Sequence, residues 1–152
     1  MKIIKKIFAC IVILSLSGCA GYEAIYAKKE GLNTKIQSFQ TKGDKKINRK
    51  IISALDIKKQ INANGYKLII NSTKLLETVS KDSAGKASTF NLKIDVVVSL
   101  INGEAVFRTK NFTSDFTFNN SENKYDLTQY QNDVEANLID DIIEEIIIFL
   151  TF

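Results

Sequence analysis

From Phe90 to Leu100 every second residue is apolar: Phe90, Leu92, Ile94, Val96, Val98 and Leu100, with mostly polar residues between them. Side chains alternate across a strand, so this stretch predicts a half-buried strand with one core face. Asn102-Gly103 follows, the dipeptide preferred in two-residue type I′ turns, so Ala105 onward is expected to fold back antiparallel. A loop on those two residues sets Val98 opposite Phe107 and Leu100 opposite Ala105. On the other face it sets Asp95 opposite Lys110, an opposite-charge cross-strand pair. Phe112, Phe116 and Phe118, with Ser114 among them, share one strand face, either as core or as an aromatic patch for a partner. The same register leaves Phe112 and Phe116 on the polar face unless a bulge intervenes.

The pattern elsewhere supplies the remaining elements. Thr34 to Thr41 reads as a short strand with Ile36 its clearest apolar position. Asp44 is an N-cap candidate for a helix in which Ile47, Ile51, Ala54, Leu55, Lys58 and Ile61 share a face, with Asn64-Gly65 as its stop. Tyr66 to Val79 is strand-like, and Ser80 to Ser88, with Asp82 and Gly85, is a turn. Thr128-x-x-Gln131 fits a capping box opening a helix to about Phe149. Val134, Leu138, Ile142, Ile146 and Phe149 form its apolar stripe, widened by Ile139, Ile143, Ile147 and Leu150. Carboxylates interrupt that stripe too often for a membrane span. The order β-α-β-β-β-α predicts an α+β two-layer sandwich: a mixed four-stranded sheet with two amphipathic helices on one face, over residues 34–152.

The first eighteen residues follow a different pattern. Lys2, Lys5 and Lys6 precede an apolar run from Ile7 to Leu16, and Leu16-Ser17-Gly18-Cys19 closes it. About ten apolar residues are too few to cross roughly 30 Å of hydrocarbon as a helix, so residues 1–18 read as a cleaved export signal. Leu-Ser-Gly-Cys matches the bacterial lipobox: small residues admit the backbone to a protease cleft, and the Cys19 thiol takes diacylglycerol through a thioether. Residues 19–33 then form an acylated tether, anchored by several acyl chains (palmitate among them) because one chain binds only marginally. Ala20, rather than Asp, after the cysteine favours the outer membrane over retention at the inner one.

Composition narrows the chemistry. The 152 residues fit one domain and contain no His, Trp or Pro. Without His the usual zinc sites, Ser-His-Asp triads and Cys-His dyads cannot be built. Cys10 leaves with the signal and Cys19 is acylated, so no free thiol or disulfide is expected. The formal net charge of +4 falls to +1 once Lys2, Lys5 and Lys6 are removed, which takes away the main support for a nucleic-acid partner.

Cys19-Ala20-Gly21-Tyr22-Glu23-Ala24-Ile25-Tyr26 resembles the Cys-Gly-Phe-x-Pro-Leu-Tyr opening of the lipopolysaccharide-assembly lipoprotein LptE family, with Ala20 additional and Ala24 in the place of Pro. Asn48-Arg49-Lys50-Ile51-Ile52-Ser53-Ala54-Leu55 is similar to that family's first helix, and Gly65-Tyr66-Lys67-Leu68 to the start of its second strand. The resemblance implies a lipoprotein that plugs the large outer-membrane β-barrel LptD, assists its assembly, and binds lipopolysaccharide on its way to the cell surface.

Lys74, Lys81 and Lys86 are candidate contacts for lipid A phosphates, since ammonium groups on flexible stems can follow a disordered anionic head group; the alternative is scattered solubilising lysine. Asn91, Lys93, Asp95, Ser99, Arg108 and Lys110 read as a hairpin face that meets either water or a polar barrel lumen. The carboxylates of the last helix, Asp133, Asp140, Asp141, Glu144 and Glu145, read as a solvated face rather than paired acids or a cation site. No enzyme, cofactor or metal is expected. The other class in view is an auxiliary lipoprotein of an ABC-type lipid transporter, also non-catalytic.

Overall fold

The computed structural model describes residues 34–57, 61–62 and 64–151. The signal, Cys19 and the tether lie outside the described residues. Among the described residues four strands and two helices run in the expected order: β1 (Ile36–Gly43), α1 (Lys45–Ala54), β2 (Tyr66–Lys81), β3 (Ala87–Asn102), β4 (Ala105–Asn119) and α2 (Lys124–Thr151). The sheet order is β1-β2-β3-β4, with β1 parallel to β2 and the other pairs antiparallel. Both helices cover the face bearing Leu68, Ile70, Leu92, Ile94, Val96, Val98, Leu100, Phe112 and Phe118, all buried. Each such side chain contributes about 1.5–3 kcal/mol when withdrawn from water.

Asp44 caps α1 as its position implies, accepting the Lys46 and Ile47 amides at 2.8 and 3.0 Å. Helix α1 ends sooner than the apolar spacing suggests. Leu55 caps it, and Asp56 takes φ 50°, a left-handed conformation that Asp tolerates better than most residues. That turn sends Ile57 into the core, while Ile61 is exposed and bridges Ile36 in parallel. Gly65 is therefore no helix stop. A Cβ there would lie 2.5 Å from the Lys35 carbonyl oxygen, so glycine permits the close approach of β2 to the chain entering β1.

Helix α2 starts five residues earlier than the Thr128 capping box predicts. Asn123 Oδ1 accepts the Tyr125 amide at 3.1 Å, and Thr128 lies inside the helix with its hydroxyl bonded to the Lys124 carbonyl. Its apolar stripe is buried as read, and Thr34 Oγ1 donates to the Leu150 carbonyl near its end.

The β3–β4 register differs from the expected one. The turn is centred on Gly103-Glu104, with Asn102 opposite Ala105 and Gly103 at φ 60°, the first central position that a type II′ turn gives to glycine. A bulge follows between Ile101 and Leu100, and from there Leu100 faces Arg108, Val98 faces Lys110 and Asp95 faces Thr113. The pairs Val98–Phe107, Leu100–Ala105 and Asp95–Lys110 do not form. The reason is parity. Any two-residue hairpin loop pairs even residues with odd ones, which would turn Phe112 outward. One extra residue, Phe107, restores even to even and sets Phe112 beside Val96 in the core. Phe107 itself stacks on Tyr66 at 4.8 Å.

Candidate functional site

The sheet has two unlike faces. Opposite the helices, Asn91 donates to Asp115 and Thr117, Thr109 to Ser99 and Thr113 to Asp95, all between 2.6 and 3.0 Å. Lys93 reaches Asp95 at 3.4 Å. These cross-strand polar pairs line a sheet face on which no helix packs among the described residues. Arg108 and Lys110 do not belong to it, because the bulge turns both to the helical side. Arg108 lies 4.4 Å above the Phe149 ring, and Lys110 lies 4.7 Å above Phe112 and 3.5 Å from Glu145.

The second feature is the β2–β3 hairpin. Strand β1 accompanies β2 only to Gly43 opposite Ser72, so from Thr73 to Lys81 the outer edge of β2 pairs with no strand among the described residues. Leu75, Leu76 and Val79 are exposed along it. Asp82 shapes the tip: its carboxylate accepts the Ala84 and Lys86 amides at 2.9 Å each, and its carbonyl accepts the Gly85 amide at 3.0 Å. Lys81 and Lys86 flank this turn with exposed side chains, so the structure brings these two candidates together.

Lys74 is set apart from them, seven residues down β2 and roughly 23 Å away along an extended strand. It points to the helical side, where its ammonium meets Glu135 Oε2 at 3.1 Å. Glu135 is 5% exposed, and its Oε1 lies 3.0 Å from Lys46 Nζ in a charge contact without a directed hydrogen bond. Thus α1, α2 and β2 meet at one buried carboxylate. Lys50 reinforces the helix pair, reaching Asp140 and the Ala136 carbonyl at 2.9 Å each. Sequence pattern did not single out Glu135. The signal was there, for it directly follows Val134 and sits within the apolar stripe's flank rather than opposite it.

A further buried polar cluster ties the start of α1 to the sheet. The Ser72 hydroxyl lies 3.0 Å from Asn48 Oδ1 and 3.2 Å from the Asp44 carbonyl, and Asn48 Nδ2 donates to the Lys42 carbonyl at 2.7 Å. The amide of Ile47 holds the Asp44 carboxyl below its ordinary pKa of 3.8; burial opposes this, and the Lys46 amide with the charges of Lys74 and Lys46 assists. Among the described residues no helix is long and apolar enough to cross a bilayer.

The fold recurs in solved bacterial lipoproteins. A minor lipoprotein from Acinetobacter baumannii superposes with a TM-score of 0.57 at 13% identity, over 76% of this chain and 90% of that one. A protein assigned as a lipoprotein from Caulobacter crescentus gives 0.56 at 17% identity, over 80% and 90%. Lipoprotein B from Nitrosomonas europaea gives 0.51 at 13%, over 76% and 81%. At such identities the likeness is one of fold. No protein-family model and no curated protein matches the chain.

Proposed function

We propose that this chain is an outer-membrane lipoprotein of the LptE kind: a non-catalytic subunit that sits against a large LptD-like β-barrel, assists its assembly and binds lipopolysaccharide during delivery to the surface. The observation that carries the reading is the Leu16-Ser17-Gly18-Cys19 lipobox placed ahead of a β-α-β-β-β-α domain whose fold recurs in bacterial lipoproteins. The geometry supports it in two further ways. The uncovered polar sheet face suits the lumen of an outer-membrane barrel, which is polar, and the acylated Cys19 would keep the domain at the periplasmic side of that membrane. Lys81 and Lys86 stand at the hairpin tip, clear of the ion pairs that occupy Lys74.

Purification of the tagged, acylated full chain from membranes tests the reading. A large outer-membrane barrel should come with it. Recovery of an inner-membrane ABC transporter instead would transfer the protein to the auxiliary-lipoprotein class.

A further inference from the structure

Helix α1 carries four cations, Lys45, Lys46, Arg49 and Lys50, and no carboxylate along its length. The fold divides them by flank. Lys46 and Lys50 turn toward α2, where Glu135 and Asp140 neutralise them at 3.0 and 2.9 Å. Lys45 and Arg49, one turn apart, lie on the other flank and line a groove of about 820 Å³ between α1 and the inner face of β1. Arg49 Nε donates to the Lys45 carbonyl at 3.2 Å, which holds the guanidinium along that flank. Phe39, packed against the core, and Ile52, 8% exposed, make the groove's apolar wall. Asp56, the one carboxylate lining it among the described residues, makes an interaction of its own.

We propose that this groove binds an anionic lipid, with an acyl chain against Phe39 and Ile52 and a phosphate head group on Lys45 and Arg49. The chemistry selects that occupant over simpler ones. A free phosphate gains nothing from the apolar wall, and a neutral chain would bring its uncharged head against two cations without answering their charge. An acylated phosphate satisfies both. The inference deepens the translocon reading and rests on it for the source of the lipid, a phosphorylated glycolipid passing the domain; it places a lipid contact on α1 and β1, away from the hairpin tip.

The test uses the acylated full chain in neutral dodecyl maltoside, labelled by a trace of phosphatidic acid with a diazirine in its acyl chain. Labelled peptides are mapped by mass spectrometry. The same acyl probe on phosphatidylcholine and millimolar inorganic phosphate as competitor supply the other arms. Phosphatidic acid should label the peptides spanning Phe39 to Ser53, with phosphatidylcholine labelling far less and free phosphate failing to compete. Lys45→Glu/Arg49→Glu should cut labelling on the order of tenfold, two charge-assisted contacts being reversed. Both positions are exposed, and Glu at position 45, in the first turn, suits the helix dipole, so the fold should persist. Ser53→Trp, which fills the groove and keeps every charge, should also suppress labelling. Equal labelling by both lipids, competition by free phosphate, or undiminished labelling in the two variants would overturn the groove. Loss of labelling with the barrel still co-purifying removes the groove alone, whereas labelling in a chain that brings no barrel removes the translocon reading alone.

Discussion

Glu135 offers its carboxylate to two ammonium groups that hang from different elements, and the asymmetry of exposure decides what its loss would do. Its side chain is 7% exposed, whereas those of Lys46 and Lys74 are 58% and 35% exposed. Glu135→Ala lets both lysines return to water but opens a gap between α1, α2 and β2. Denaturant unfolding should report a loss of about 2 kcal/mol, below the cost of stranding a buried charge. Asp44 makes a different residue-scale case. Its carboxyl is held low in the fold, so the cap's contribution is fully present above the ordinary pKa of 3.8 and is lost as pH falls through the lower folded value. Asp44→Ala should cost about 1 kcal/mol near neutrality. Asp44→Asn should keep most of the cap while flattening this part of the acid limb, as thermal melts between pH 5 and pH 2 would measure.

At the scale of elements, the β3–β4 hairpin carries its own correction. Phe107 is the extra residue on β4, opposite the step between Ile101 and Leu100. Its deletion should remove the bulge yet leave Leu100 opposite Arg108 and Val96 opposite Phe112. The loss is the stack on Tyr66 and some local twist, about 1 kcal/mol. Cross-strand nuclear Overhauser contacts between Val96 and Phe112 would follow the register directly. If those contacts vanish while the domain stays folded, strand parity is not what places Phe112 beside Val96. Helix α1 teaches a related lesson. Its apolar spacing runs on past Ala54, but the left-handed Asp56 breaks it so that Ile57 can enter the core.

For the whole molecule, the proposed reading makes Cys19 the lipid attachment point and the hairpin tip a lipopolysaccharide contact. Cys19→Ser should leave an uncut precursor, since serine lacks the sulfur that accepts the diacylglycerol; intact-mass measurement of membrane fractions checks this. An unmodified mature N-terminus at Cys19 in the wild type would remove the anchoring argument. Lys81→Glu/Lys86→Glu should weaken binding of purified lipopolysaccharide several-fold with an unchanged melting temperature, because the tip contributes nothing to the buried core. The effect should fade at higher salt, where screening acts over about 8–10 Å. Equal affinity at both salt concentrations would take these lysines out of the contact and leave the groove on α1 untouched.

Local pattern by itself determined the order of six elements, the two-layer architecture, the core faces of β3 and α2 and the Asp44 cap. Each depends on residues a few positions apart, and their side chains alone set which face is apolar. Tertiary structure decided the rest. The register of β4 needed both strands at once, since only the demand that Phe112 and Val96 share a face calls for the bulge. The fate of Lys74 needed Glu135, sixty-one residues away, because a lysine on a strand declares itself free or paired only when the opposing helix is in place. The division of α1's cations into a neutralised flank and an open one has the same origin. Charge is legible along a chain, but its compensation depends on what packs beside it.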